Sequence, residues 1–443
     1  MQKNNIVYII KAMLDIKFIR ENRETVAEKS KQKGYEVNID KLLAVDDSRR
    51  KLLGEIEKVR ADRNELAEKA KAGKPDDQSI EQGKKLKESL AQLEAQLQPV
   101  EEEFTKLLKA VPNMPADDVP VGASEDENVV AKEWGDKPKF DFEPKTHWEL
   151  AEGRGLIDKE RAAKVSGSRF AYIKGDLVRL QLAIVQLVID SLTSEETLKK
   201  IAQEAELNDI SSKPFTPVLP PLMIRTEVFD AMDRLEPRED RYKVGSDDDN
   251  LWLQGSAEHT LGPMYMNESI EDKELPMRFL GYATSFRREA GTYGKDTEGI
   301  IRMHQFDKLE MESFTRPEDG LSEHLMMVAI QEYLLQQLKI PYRVLQKCTA
   351  DIGKPNARGI DLEAWLPGAD KYMETHTADY MSDYQARRLQ TRIKDNGLVH
   401  TSDATAFALG RTMVAIIENY QTADGIIVIP EALRPYMRNQ TSL

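Results

Sequence analysis

Between residues 40 and 110 the apolar positions recur in alternating steps of four and three. Leu86, Leu90, Leu93, Leu97, Val100, Phe104 and Leu107 form one run. Val45, Leu52, Ile56, Val59, Leu66 and Ala70 keep the same beat before it, with Arg49 and Arg63 standing at seam positions. This spacing holds one stripe against a partner helix and predicts a coiled coil. The stretch Lys71-Ala-Gly-Lys-Pro-Asp-Asp77 separates the two runs with turn-forming residues. Two helices of about 30 residues are therefore expected to fold back as an antiparallel hairpin roughly 45–50 Å long. Pro99 lies inside the second run and is expected to kink that helix or remove one hydrogen bond.

Past residue 112 the pattern changes. A polar, proline-marked stretch (Val111 to Pro115, Asp117-Asp118, Gly122 to Glu127) reads as a linker. Leu177, Leu180, Ile184, Leu187, Val188 and Leu192 then mark an amphipathic helix from Asp176. Short β-like runs follow at Leu251–Leu253, Phe279–Phe286, Ile300–Leu309 and Asp361–Leu366. An arginine-rich helix is expected over Asp383–Ile393 and a strand, turn and helix over 398–420. Antiparallel hairpins with peripheral helices, and no βαβ alternation, give an α+β class. No GxGxxG or GxxxxGK[ST] occurs, so a Rossmann or P-loop nucleotide site is not supported.

Composition sharpens this picture. The chain has 443 residues, 40% of them hydrophobic and 32% charged, enough for a large core beside a heavily solvated part. With 63 basic and 77 acidic residues it carries a net charge of −14, which argues against nonspecific coating of nucleic acid. The arm is close to neutral, however, so it is the part of the chain best suited to meet a polyanion. A dimerising or spacer coiled coil would have the same pattern. One cysteine (Cys348) and six histidines without ligand spacing exclude a disulfide framework and leave no zinc site expected. No apolar run approaches the ~20 residues of a membrane span. Residues 1–11 are too short for a secretory signal and read as a short extension before Met13. A cytoplasmic protein with no membrane partner is expected.

The densest chemistry lies in Thr284–Gly294 and Ile301–Glu310. As a strand, a glycine-bearing loop and a returning strand, it places Arg287 and Glu289 on one face, and Arg302, His304, Phe306 and Glu310 on one face of the return. Guanidiniums, carboxylates and an aromatic together suit a nucleotide, although a surface hairpin of mixed charge looks similar. Arg411 opens an apolar helix, Gly410–Tyr420. A cation there meets the positive dipole end, so it needs an anion or open solvent.

In this order, and behind such an arm, the segments SFRREAGTYGKDTEGIIRMHQFDKLE (285–310), LEAWLPG (362–368), YQARR (384–388), ALGRTMVAIIENYQTADG (408–425) and PEALRPYM (430–437) resemble the bacterial-type seryl-tRNA synthetases. These belong to the class II aminoacyl-tRNA synthetases. The resemblance runs from about Met13 to Met437 and implies a class II antiparallel-sheet catalytic domain. It divides the chain into a tRNA-binding domain (1–112) with the arm at about 40–110, a linker (113–130) and a catalytic and dimerisation domain (131–443).

The implied roles follow residue by residue. Arg287 would hold the ATP α-phosphate, Glu289 the adenine amino side, Arg302 and Arg411 the γ-phosphate, and Phe306 the adenine ring. Glu374 and Thr377 would coordinate Mg²⁺ with ATP. Glu310 would take the substrate ammonium, and Ser256, Glu258, Arg287, Asp403 and Thr405 would complete the L-serine site. Pro220 or Pro221 would end the first class motif, at a homodimer interface. Arg60, Arg63, Lys69, Lys71, Lys84, Lys85 and Lys87 on the arm would contact serine tRNA at its elbow or long variable arm.

Three stretches depart from the family's usual wording in the amino-acid pocket. Ser256-Ala-Glu258 stands for Thr-Ala-Glu, Asp403-Ala-Thr-Ala406 for Asn-Gly-Ser-Gly, and Glu374 to Asp379 (ETHTAD) for a Glu-Ile-Ser-Ser-Cys-Ser stretch. The implied activity is ATP-dependent serine activation and transfer to the 3' end of serine tRNA. The alternatives are a class II ligase for another amino acid and a noncatalytic RNA-binding paralogue.

Overall fold

The computed structural model describes residues 15–71, 76–246, 249–290 and 299–443. The turn at 72–75, the loop at 291–298 and the first 14 residues, on which three of the expectations above fall, lie outside them. The chain divides into two compact units, Met1–Met114 and Pro115–Leu443.

In the first unit, α1 (Ile16–Glu21) and α2 (Arg23–Gln32) precede two long helices, α3 (Ile39–Lys71) and α4 (Asp77–Ala110). These are the expected hairpin helices. Asp76 caps α4 by accepting the Ser79 N–H at 2.8 Å. The seam is buried at Ile56, Leu90 and Leu97 along the arm. At the base, Phe104 and Leu108 join Ile19, Val26, Ile39 and Leu42 in a small core. Arg49, a cation at a seam position, lies with its guanidinium 4.8 Å from the Phe104 ring centre. It thereby packs as an apolar residue would while keeping Asp46 (3.6 Å) and Glu101 (3.8 Å) near its charge. α4 runs through Pro99 without ending.

The second unit is built on an antiparallel-dominated sheet of eight strands among the described residues. In chain order these are β1 (Val129–Trp134), β2 (Thr216–Val218), β3 (Met277–Phe286), β4 (Gln305–Thr315), β5 (Tyr342–Gln346), β6 (Arg358–Leu366), β7 (Lys371–Ser382) and β8 (His400–Ala408). Their order across the sheet is β1-β5-β6-β7-β8-β4-β3-β2, and only the β2–β3 pair is parallel. The proline-marked stretch before β1 is tied to this unit, with Ala116 N–H donating to Ala357 O at 2.8 Å.

Strand alternation gives the sheet two unlike faces. Leu309, Met311, Leu362, Ala378, Ala404 and Ala406 turn into the main core. There they meet α5 (Asp176–Leu192), α6 (Gly320–Gln337) and α7 (Leu409–Asn419). Lys308, Glu310, Glu312, Thr377, Asp379, Asp403 and Thr405 occupy the opposite face. Buried polar side chains need partners, so this face is where the fold can hold chemistry. Among the described residues, no single helix is long and apolar enough to cross a membrane.

Several boundaries differ from the pattern-based expectations. The return strand starts at Gln305, not Ile300, so Arg302 and His304 precede it in a bend. β3 ends at Phe286, which leaves Arg287 and Glu289 beyond the alternating part, with Glu289 at φ 53°. The arginine-rich helix covers only Tyr384–Leu389, because Gln390 takes a left-handed conformation and closes it.

Candidate active site

A cavity of about 200 Å³ opens over the polar face of the sheet. Arg287, Glu289, Arg302, Phe306, Glu374, Thr377, Thr405 and Arg411 all line it. Every residue that the sequence assigned to ATP is thus gathered around one space, drawn from four separate segments. Arg287 is fixed from two sides. Its N–H pairs with His304 O at 3.0 Å, and its Nε donates to Gly255 O at 3.0 Å. Its guanidinium stands 5.5 Å from the Phe306 ring centre. Arg302 reaches Glu289 at 3.2 Å, and Arg169 donates to the Glu289 carbonyl at 3.3 Å.

Arg411, in the first turn of α7, has the anion its position requires. Its Nη1 lies 3.2 Å from Glu374 Oε1 and donates to the Glu374 carbonyl at 2.7 Å. Burial in the cleft works against ionisation of Glu374, but the Arg411 and Lys347 charges hold it below the usual carboxylate range.

Beneath the cavity lies a smaller, closed cluster. Thr405 Oγ1 donates to Glu310, at 3.2 Å from one carboxylate oxygen and 3.3 Å from the other. Lys308 Nζ is 2.7 Å from Glu310 Oε2 and donates to Ser256 Oγ at 2.9 Å, and the Ser256 hydroxyl lies 3.4 Å from Glu310. Burial, with the Glu258 charge adding to it, pushes Glu310 up to about 7. Gly255 N–H donates to His259 Nδ1 at 3.0 Å. The ring therefore carries its proton on Nε2, which faces Glu258 Oε1 at 3.4 Å. Burial also pushes His259 far below its ordinary range, in keeping with a neutral ring. Asp403 sits one step deeper along β8 and pairs with Arg234 at 3.3 Å.

Sequence reasoning missed four residues here. Lys308 was legible, since it alternates with Phe306 and Glu310 on β4. Glu312 and Asp379 continue the same faces of their strands. Arg234 left no local signal, being brought in by the fold from a loop far from every motif.

On the arm, Arg60 pairs with Glu94 of the opposite helix at 3.0 Å. Lys69 meets Glu65 at 2.7 Å, and Lys85 lies 3.8 Å from Glu81. Arg63, Lys84 and Lys87 are exposed. The side chain of Lys71 falls outside the described residues.

The fold and this site define a class II aminoacyl-tRNA synthetase core. Residues 242–420 match the tRNA synthetase class II core domain family (G, H, P, S and T), and residues 13–115 match the seryl-tRNA synthetase N-terminal domain family. The chain is 40% identical over 437 residues to the serine–tRNA ligase of Petrotoga mobilis, covering 96% of this chain and 99% of that one. A crystal structure of seryl-tRNA synthetase from Pyrococcus horikoshii complexed with ATP is similar, with a TM-score of 0.85 and 35% identity over 97% of this chain and 99% of that one. The cytoplasmic serine–tRNA ligase from Naegleria fowleri in complex with AMP gives 0.83 and 28% over 97% and 98%. The chain belongs to the seryl-tRNA synthetase family.

Proposed function

We propose that this enzyme activates L-serine with ATP and transfers the seryl group to the 3' end of serine tRNA. The observation that carries this reading is the joining of two compartments at Thr405. The residue lines the cavity ringed by Arg287, Phe306 and Arg411, and its hydroxyl is bonded to Glu310 in the closed cluster below. A nucleotide above and a small hydroxylated amino acid below would meet there.

In the first step a carboxylate oxygen of serine attacks the α-phosphorus of ATP, and the bond to pyrophosphate breaks to leave seryl-adenylate. Arg287 would stabilise the charge that develops on phosphorus, with Phe306 holding adenine, Glu289 its amino side, and Arg302 and Arg411 the γ-phosphate. In the second step a ribose hydroxyl of the terminal adenosine attacks the acyl carbon and AMP leaves. No covalent enzyme intermediate is required, so catalysis rests on positioning and preorganised charge.

Glu374 and Thr377 would hold Mg²⁺. The ionised carboxylate and the hydroxyl line one cavity, a set of oxygen donors suited to a hard cation. When bound, the ion supplies neutralisation of the phosphate charge. Ser256, Glu258, Arg287, Glu310, Asp403 and Thr405 form the serine pocket in this reading, with residues 131–443 as the catalytic and dimerisation domain. Leu219 and Met223, exposed beside edge strand β2, support a homodimer contact near Pro220 and Pro221. Residues 1–112 serve tRNA, with Arg60, Arg63, Lys69, Lys71, Lys84, Lys85 and Lys87 on the arm as contacts and 113–130 as the connection.

ATP–pyrophosphate exchange with Mg²⁺ tests the reading, comparing serine, threonine, alanine and no amino acid. Exchange with serine alone is expected. Exchange only with another amino acid would overturn the specificity, and no exchange at all would favour a noncatalytic RNA-binding role.

A further inference from the structure

The polar face of the sheet carries a further row of charge that runs from Asp403 of the serine pocket to two carboxylates with no assigned role. Glu312 stands opposite Asp403, and Asp403 stands opposite Asp379. Three carboxylates therefore lie side by side on neighbouring strands, where opposed Cβ atoms are about 4.5–5.5 Å apart. All three are buried, and both Glu312 oxygens are buried without a hydrogen-bond partner. Uncompensated, such a row is costly, because like charges repel strongly away from water.

The guanidinium that meets the row is Arg234. Its Nη2 lies 3.3 Å from Asp403 Oδ2 and 4.0 Å from Asp379 Oδ2, and it donates to Asn356 Oδ1 at 3.3 Å. Arg234 belongs to no strand of the sheet. It follows the short helix Thr226–Ala231, on the strap of chain that runs on to Ser256 and Glu258. Its neighbour Asp233, at φ 58°, is fastened by the opposite charge: Lys354 lies 3.0 Å away, and the Tyr384 hydroxyl donates to it at 2.8 Å. Two adjacent residues of opposite sign thus fasten the strap, Arg234 to β7 and β8 and Asp233 to the loop at Lys354 and the helix that begins at Tyr384.

We propose that Arg234 is a specificity-determining positioning residue for serine. By bridging Asp403 and Asp379 it compensates the acid row behind the pocket, and it holds the strap bearing Ser256 and Glu258 against Glu310 and Thr405. The inference rests on the seryl reading above. Burial, reinforced by the neighbouring carboxylates, pushes both Glu312 and Asp403 well above the carboxylate range, and Arg234, 3.3 Å from Asp403, is the guanidinium that faces the crowded row. The ATP end is anchored separately, since Phe286 N–H donates to Gln254 O at 3.0 Å and ties the strap to β3 beside Gly255.

Steady-state exchange on the full chain, with KM for serine and for ATP measured separately, distinguishes the possibilities. Wild-type exchange with serine checks the seryl reading, and the variants check Arg234. Arg234→Gln is expected to raise the serine KM at least tenfold while the ATP KM stays within threefold. Arg234→Lys, which keeps the charge without the fork, is expected to fall between Arg234→Gln and wild type. The pair Arg234→Gln/Asp403→Asn removes the guanidinium together with its carboxyl partner and is expected to recover at least half of the logarithmic loss. A serine KM within threefold of wild type in Arg234→Gln would overturn the proposal. So would equal losses for serine and ATP, or a double variant no better than the single one. If Arg234→Gln does not fold by circular dichroism, Arg234→Lys decides, and an unchanged serine KM there overturns the proposal as well.

Discussion

Thr405 and Glu310 face each other across β8 and β4, with the threonine hydroxyl donating to the carboxylate at 3.2 Å. Both are buried, so a ligand that enters between them must satisfy them. A hydroxyl can do so by accepting from one and donating to the other; a methyl group cannot. Sites built this way discriminate steeply, because a ligand lacking the hydroxyl leaves buried polar groups unpaired. Thr405→Ala is expected to reduce the preference for serine over alanine by at least ~10-fold, measured as the ratio of kcat/KM in pyrophosphate exchange. Unchanged discrimination would remove Thr405 from hydroxyl recognition.

The same carboxylate predicts a pH dependence. Burial raises Glu310 to about 7, so it is neutral below that pH and ionised above. The ionised form is the one that attracts a substrate ammonium. Accordingly kcat/KM for serine should fall as pH drops through about 7, approaching ~10-fold per unit on the acid side, since this parameter reports the free enzyme. Glu310→Gln should abolish that acid limb along with most activity. A flat profile from pH 6 to 8 in the wild type would mean that Glu310 does not govern ammonium binding.

Local periodicity carried much of the architecture. The heptad beat on the arm and the amphipathic Asp176–Leu192 helix are both readable because one stripe alone is apolar. β7 was not readable as a strand, and it is the strand that presents Glu374, Thr377 and Asp379. Its alternation is masked by buried polar residues such as Thr375 and His376, since a strand that serves a site on one face loses its hydrophobic signature. For the site, charge clusters in the segments that carry the family resemblance marked Arg287, Glu310 and Arg411. Arg234 could not be marked, because its partner Asp403 lies 169 positions away and nothing adjacent to either residue announces the pair.

On the core side of the sheet, Arg278 of β3 and Glu323 of α6 form a two-pronged pair, with both bonds at 2.6 Å and both side chains almost fully buried. Ser313 also donates to Glu323, at 2.8 Å. Removing one partner from such a pair strands the other charge and costs about 3–5 kcal/mol. Glu323→Ala should lower the unfolding free energy by that amount in urea titration. Replacing both residues by apolar ones, as in Arg278→Met/Glu323→Leu, should recover much of it. A loss below ~1 kcal/mol in the single variant would show that the pair is solvated in solution.

Arg287 tests the chemistry of the first step. It is held by backbone on both sides and aimed at the cavity, so it acts as a preorganised donor instead of a side chain that must reorganise during the reaction. Loss of one donor of this kind typically lowers the rate about 100- to 1000-fold. Arg287→Ala is expected to slow pyrophosphate exchange by that factor, with its far-ultraviolet spectrum unchanged. Exchange within a few-fold of wild type would place the stabilising charge elsewhere, with Arg302 and Arg411 as the candidates.

Shortening the arm should separate the two half-reactions. Ile39, Leu42, Phe104 and Leu108 hold the base of the first unit together, so an excision that includes them would confuse unfolding with loss of reach. Removing residues 52–97 and joining the ends with a short glycine-rich turn keeps that base and takes away Arg60, Arg63, Lys69, Lys71, Lys84, Lys85 and Lys87. No residue of the cavity belongs to the arm, so pyrophosphate exchange with serine should remain within about twofold of wild type. Charging of serine tRNA should fall at least ~100-fold if, as proposed, the arm's basic residues supply phosphate contacts that position the acceptor end. Restoring residues 52–97 with those seven basic positions changed to glutamine separates length from charge. Recovery of charging by this variant would assign the arm a spacing role, whereas continued loss would assign it direct contact with tRNA.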